Sequence, residues 1–106
     1  MQTEFVPKEV MKMYKIEILM WHYGNPTYER DELEPIFDDP REAMIEILSR
    51  AIDEVNYFNS PNEGGDRGRY YSVDLEGGDG FDAVVRCWDG DDYDNVTAYN
   101  IIMVEA

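Results

Sequence analysis

Apolar and polar residues alternate along residues 14–23, YKIEILMWHY. A period of two is typical of a β-strand, so we predict a strand here, with the fold beginning near Met13. Residues 1–12 show no clear period and mix charged side chains with Pro7, and we predict a flexible N-terminal arm. The predicted strand has Tyr14, Ile16, Ile18 and Met20 on one face and Lys15, Glu17, Leu19 and Trp21 on the other.

A helical pattern begins at residue 39. Asp39 is a suitable N-cap, Pro40 suits the first helical position, and Glu42 lies three residues after the cap, as in a capping box. Apolar residues then recur at steps of three and four, which predicts an amphipathic helix with one face on a sheet. Asn-Ser-Pro-Asn at 59–62 ends it. The predicted apolar positions are Met44, Ile45, Leu48, Ala51, Ile52, Val55 and Phe58.

Three short alternating runs follow, at residues 69–75, 81–88 and 96–104. The connections at 76–80 and 89–95 are rich in Gly and Asp, as hairpin loops are, whereas 27–39 is predicted to be a polar loop. We therefore predict an α+β fold of order β-α-β-β-β. It comprises an antiparallel sheet of about four strands, with one amphipathic helix packed on one face, in a single domain over residues 13–106.

Charge is the most unusual property of the sequence. The 43% of hydrophobic residues can build a core, but 24 acidic and only 9 basic side chains leave a formal net charge of −15. Such a charge opposes compaction, and it favours either solubility or a basic partner. Direct binding to nucleic acid or an anionic membrane is disfavoured because like charges would meet. One cysteine, no signal-peptide pattern and no long apolar run predict a cytoplasmic protein.

The residue types that usually perform catalysis are scarce. His22 and Cys87 are each the single residue of their kind, and both are predicted to be structural. The run 89–95 is rich in oxygen ligands, yet Tyr93 and Asp94 occupy the fifth and sixth positions of a calcium loop, where the sixth requires glycine. We therefore predict no catalytic residue, no metal site, no cofactor and no enzymatic activity.

Acidic residues concentrate in two segments, the first from Glu29 to Glu42 and the second from Asp74 to Asp94. Closely spaced carboxylates on a rigid scaffold can replace backbone phosphates and meet the Lys and Arg of a nucleic-acid-binding protein. Aromatic side chains beside them are typical interface anchors, although we expect Tyr71 to pack in the sheet. These aromatic residues are Tyr28, Tyr70, Tyr71, Trp88 and Tyr93. The predicted partner-binding residues are Glu29, Asp31, Glu32, Glu34 and Asp38 in the first segment, and Asp89, Asp91, Asp92, Tyr93 and Asp94 in the second. Either segment could form the interface.

No motif assigns the chain to a family. In size, charge and one-domain α+β design it resembles small acidic proteins that block nucleic-acid enzymes. These include phage-encoded DNA mimics such as anti-CRISPR and anti-restriction proteins, and immunity proteins against basic nuclease toxins. The resemblance implies an inhibitor of a basic nucleic-acid-binding protein or nuclease, acting in the host cytoplasm if phage-encoded. The alternatives are an acidic interaction module without an inhibitory role, a calcium-dependent module and a carboxylate-based enzyme. The sequence leaves open whether the protein forms a homodimer.

Overall fold

The alternating segment around Ile16 forms a central strand of an antiparallel sheet. A computed structural model describes residues 12–22, 26–60, 69–75 and 80–105. In chain order its elements are β1 (Lys12–Trp21), β2 (Tyr28–Glu32), α1 (Pro40–Asn59), β3 (Arg69–Leu75), β4 (Ala83–Asp89) and β5 (Asp92–Glu105). The strand order is β2-β1-β5-β4-β3, and every neighbouring pair is antiparallel. The predicted α+β domain with one helix is confirmed.

The helix begins where its capping sequence predicts. The Asp39 side chain accepts a hydrogen bond from the Arg41 backbone N–H at 2.9 Å, which satisfies one of the free donors of the first turn. The side-chain hydrogen bond from Arg41, followed by this backbone bond, lowers the pKa of Asp39 below its ordinary value. The helix ends at Asn59, and the Ser60 N–H bonds to the Tyr57 carbonyl. Charged side chains on successive turns make α1 unsuited to crossing a membrane.

The predicted strand count and order are wrong because of β2. Residues 28–32 lie in the predicted polar loop, but they pair with β1 from Trp21↔Tyr28 to Glu17↔Glu32. Over the described residues the order is therefore β-β-α-β-β-β, with five strands. All five residues of β2 are exposed, because the strand lies at the sheet edge and α1 does not contact it. A strand with no buried face has no apolar alternation, so periodicity could not reveal it. The predicted flexible arm lies outside the described residues except for Lys12, which begins β1.

The main core lies between α1 and one face of the sheet. On the helix, Ala43, Ile47 and Ala51 are fully buried. Ile45 and Ile52, predicted for this face, are instead exposed, because they lie more than a quarter turn around the helix from Ile47. The buried residues of this core are Ile16, Ala43, Ile47, Ala51, Ala83, Val85 and Tyr99.

A polar contact completes the helix–sheet interface. The hydroxyl groups of Tyr99 and Thr97 both donate to the Glu54 carboxylate, at 3.1 and 2.6 Å. Burial, followed by the nearby Glu54 charge and this hydrogen bond, raises the pKa of Tyr99 far above its ordinary value. The buried polar atoms therefore have partners, which avoids the cost of leaving them unsatisfied.

The opposite face of the sheet carries a second, smaller core. Leu19, Ala98 and Val84 are in register across β1, β5 and β4, and all three are buried. Trp21 and Phe81 pack against them, with their ring centroids 5.8 Å apart in an edge-to-face arrangement. Two aromatic side chains thus cover a row of apolar residues on the face that lacks a helix.

A β-bulge changes the orientation of side chains at one end of β5. Val85 pairs with Thr97, whereas the next residue, Arg86, pairs with Asn95, so Val96 is an extra residue. Val96 packs against the main core beside α1. Because of this insertion, Asn95 and Tyr93 point to the face opposite the helix, the same face as Arg86.

Candidate acidic interface

The predicted seven-residue connection at 89–95 is instead a tight hairpin. β4 continues to Asp89 and β5 begins at Asp92, so Gly90 and Asp91 alone form the turn. Gly90 has φ of 67°, which a residue with a Cβ rarely adopts and a two-residue hairpin of type I′ or II′ requires at its first position. The short turn places Asp89, Asp92 and Asp94 on the paired strands themselves and Asp91 in the turn.

The hairpin carboxylates are exposed and close together. Asp89 and Asp92 are directly paired across the turn, Asp91 lies in the turn, and Asp94 is two residues further along β5. In the part of the chain that the structure describes, none of these four aspartates is recorded in an ion pair. Arg69, the partner of Asp89 on β3, places one positive charge beside the four negative ones.

Two of the acidic residues of β2 lie against basic side chains of the chain itself. Glu29 Oε2 lies 2.8 Å from His22 Nε2. Glu32 lies 3.4 Å from the Lys15 ammonium and 3.6 Å from the Arg30 guanidinium. Two of the β2 carboxylates therefore lie against basic side chains of the same molecule, and the Lys15 and Arg30 charges reduce the negative field that β2 presents to a partner.

Glu17 of β1, which is paired with Glu32 of β2, joins this network. Arg30 donates a hydrogen bond to Glu17, and Asn100 donates another at 3.1 Å. Partial burial acts to raise the pKa of Glu17, but the bonds from Asn100 and Arg30 outweigh it and lower the pKa below its ordinary value. The Glu17 carboxylate therefore serves the sheet and not an interface.

The ten predicted site residues do not form one surface. Glu29, Asp31 and Glu32 lie on the edge strand β2, which β1 and β5 separate from β4. Glu34 and Asp38 lie in the connection to α1, near the opposite end of the sheet from the hairpin. The hairpin set, which consists of Asp89, Asp91, Asp92, Tyr93 and Asp94, lies on two paired strands and the turn between them, far from the other five residues.

Aromatic residues outside the predicted set join Tyr93. Trp88 lies between Tyr70 and Tyr93 across three strands, with centroid distances of 6.1 Å to Tyr70 and 4.9 Å to Tyr93. The Trp88 indole N–H donates to the Ser72 hydroxyl at 2.9 Å, which orients the ring. Tyr70 and Trp88 were recognised from the sequence only as aromatic residues near acids, since their alignment with Tyr93 depends on register.

A cleft opens at the same end of the sheet. Its volume is about 790 Å³, and it lies between the end of α1 and the ends of the strands. His22 and Cys87 both line it, but His22 lies against Glu29, so the described contacts give Cys87 no activating base. Among the described residues, no three His, Cys, Asp or Glu side chains are grouped to hold a metal ion. The lining residues are Trp21, His22, Pro26, Phe58, Arg69, Tyr71, Cys87, Tyr93, Asp94, Asn95 and Val96.

Comparison with known proteins found no matching family model, no matching curated protein and no matching solved structure.

Proposed function

We propose that this protein binds a basic surface of a nucleic-acid-handling protein and inhibits it by replacing the charge of the nucleic acid. The observation that supports this proposal is the β4–β5 hairpin, whose exposed aspartates are recorded in no ion pair in the described part of the chain. We assign the leading role to the hairpin because the carboxylates of β2 are partly paired with His22, Lys15 and Arg30.

The spacing of the hairpin charges suits such a role. Paired residues across an antiparallel ladder lie about 5 Å apart, and residues two apart on one strand lie about 7 Å apart. Asp89, Asp91, Asp92 and Asp94 therefore place four negative charges within about 10 Å on a rigid support. Duplex DNA carries one negative charge per about 1.7 Å of its axis, so a basic groove that binds DNA can accommodate a dense acidic surface.

The proposal also includes the class of partner and the origin of the protein. The resemblance to small acidic inhibitors favours a nuclease or a CRISPR or restriction effector as partner, with a phage-encoded inhibitor acting in the host cytoplasm. An immunity protein against a nuclease toxin would use the same chemistry. In each case the partner's Lys and Arg side chains are the groups that the hairpin neutralises.

The test compares two variants with the same change in charge. D89N/D91N/D92N/D94N neutralises the hairpin, and E29Q/D31N/E32Q/E34Q neutralises the β2 region, and each changes the formal net charge from −15 to −11. Association with a nuclease or effector recovered by pull-down is measured at low and at physiological salt. We expect the hairpin variant to associate more slowly and to show a shallower salt dependence than the β2 variant.

Competition with nucleic acid provides the second readout. If both ligands use the same cations, the wild-type protein should displace a labelled DNA or RNA from the partner, and the hairpin variant should displace it less well. Unchanged association rates and salt slopes for both variants would refute the mimicry proposal. The acidic surface would then serve solubility, as in an interaction module without an inhibitory role.

A further inference from the structure

Three aromatic side chains form a ladder on the sheet face that α1 does not cover. Tyr70 of β3, Trp88 of β4 and Tyr93 of β5 are neighbours across the strands, and the Tyr70 and Trp88 rings are inclined by only 9°. Tyr70 and Tyr93 are 54% and 44% exposed. Burying apolar surface favours folding, so ring surface left in contact with water is available to a partner.

The chain itself shows how a cation fits this ladder. The Arg86 guanidinium carbon lies 4.4 Å from the centre of the Tyr93 ring, which is the geometry of a cation–π contact. The same guanidinium donates to the Asp74 carboxylate at 2.6 Å and to the Asn95 side chain at 3.3 Å. A guanidinium thus lies over one ladder ring while a carboxylate accepts a hydrogen bond from it.

Carboxylates of the hairpin also lie next to the exposed end of the ladder, although not on its face. Asp89 directly follows Trp88 and Asp92 directly precedes Tyr93, so each carboxylate is one residue from a ring. The pleat directs these aspartates to the other side of the sheet, but the hairpin ends here, and a long cationic side chain at its tip can reach both sides. Arginine suits the arrangement better than lysine, because its flat guanidinium can stack on a ring and bind a carboxylate bidentately.

We propose that the ladder Tyr70–Trp88–Tyr93 binds guanidinium groups of an arginine-rich segment in the basic partner. This inference rests on the proposed function and extends it. The hairpin carboxylates attract the partner, and the ladder selects arginine over lysine and slows dissociation. Charge complementarity identifies the occupant, since the rings adjoin four aspartates in a chain of net charge −15.

The experiment measures binding of two peptides of equal charge, nona-arginine and nona-lysine, to the intact protein by surface plasmon resonance. We expect nona-arginine to dissociate about two- to fivefold more slowly from the wild type, which is the range for an exposed cation–π contact. The Y70L/Y93L variant should bring the ratio of the two dissociation rates close to one. The hairpin variant D89N/D91N/D92N/D94N should weaken both peptides by a similar factor and preserve the ratio.

The outcomes distinguish the two proposals. Equal dissociation of the two peptides from the wild type, or an unchanged preference in Y70L/Y93L, would overturn the ladder proposal and leave the acidic interface intact. Unchanged binding of both peptides by the hairpin variant would contradict the proposed function instead. Circular dichroism verifies that each variant is folded. Should the double variant fail to fold, Tyr70→Leu alone provides the test, because this side chain lies at the sheet edge and is mostly exposed.

Discussion

Replacing Asp92 by asparagine should make the protein more stable. Asp92 faces Asp89 directly across the Gly90–Asp91 turn, and both are exposed. Two unit charges about 5.5 Å apart in water repel each other by about 0.75 kcal/mol, and like charges opposite each other in a sheet cost about 0.2–1 kcal/mol. Since Asn keeps the size of Asp, we expect Asp92→Asn to raise the free energy of unfolding by about 0.5–1 kcal/mol at low salt.

Glu42→Gln is the matched control, because it removes one negative charge from a different local environment. Glu42 lies in the first turn of α1, where the partial positive charge of the helix N-terminus favours an anion. We expect this substitution to lower the free energy of unfolding by about 0.3–1 kcal/mol. Both variants have the same net charge, so opposite signs would show that local geometry decides the effect.

Urea denaturation followed by far-ultraviolet circular dichroism at 25 °C provides the measurement, at low salt and at high salt. The gain from Asp92→Asn should decrease at high salt, since screening weakens the repulsion between exposed charges. An equal gain from both variants would show that total charge, and not the hairpin, limits stability. A loss of stability on Asp92→Asn would show that the Asp92 carboxylate stabilises the turn. The expected gain would mean that the hairpin acids oppose folding, as residues selected for binding often do.

Three further predictions concern the helix cap, the core and the stability at low pH. Asp39→Ala should lower the free energy of unfolding by about 1 kcal/mol, because the Arg41 N–H loses its cap, whereas Asp39→Asn should retain most of the stability. Equal losses for the two variants in urea denaturation would contradict the capping role. Ile47→Ala should lower the free energy of unfolding by about 2–5 kcal/mol, whereas Ile52→Ala, at an exposed position, should change it by no more than about 0.5 kcal/mol. Similar shifts in the melting temperature of the two variants would contradict the helix orientation. Because the native pKa of Glu17 is lowered, its stabilisation is present above the ordinary pKa of about 4.3 and is lost as the pH falls through the lower native value. The stability difference between wild type and Glu17→Gln should therefore shrink below about pH 4, and a difference that stays constant from pH 7 to pH 3 would refute this.

The helix and the strands with a buried face could be predicted from the sequence. Asp39 and Pro40 mark the start of α1 through local hydrogen bonding and a fixed φ, which depend little on the rest of the fold. β1 and β3 were recognisable because one face of each meets the core, so apolar residues alternate along them. The concentration of acids in the hairpin was equally evident, since charge is a property of the chain and not of its folding.

Register and pairing decided the rest. β2 is a strand only because β1 provides a hydrogen-bonding edge, and its exposed residues leave no periodic pattern. Tyr93 shares a face with Trp88 only because the bulge at Val96 shifts the alternation of β5 by one residue; in a regular strand Tyr93 would point towards the helix. The separation of the two acidic segments likewise follows from the strand order, which places β1 and β5 between β2 and β4. Composition and local pattern thus determine which residues are available for binding, while contacts between distant segments determine which of them share a surface.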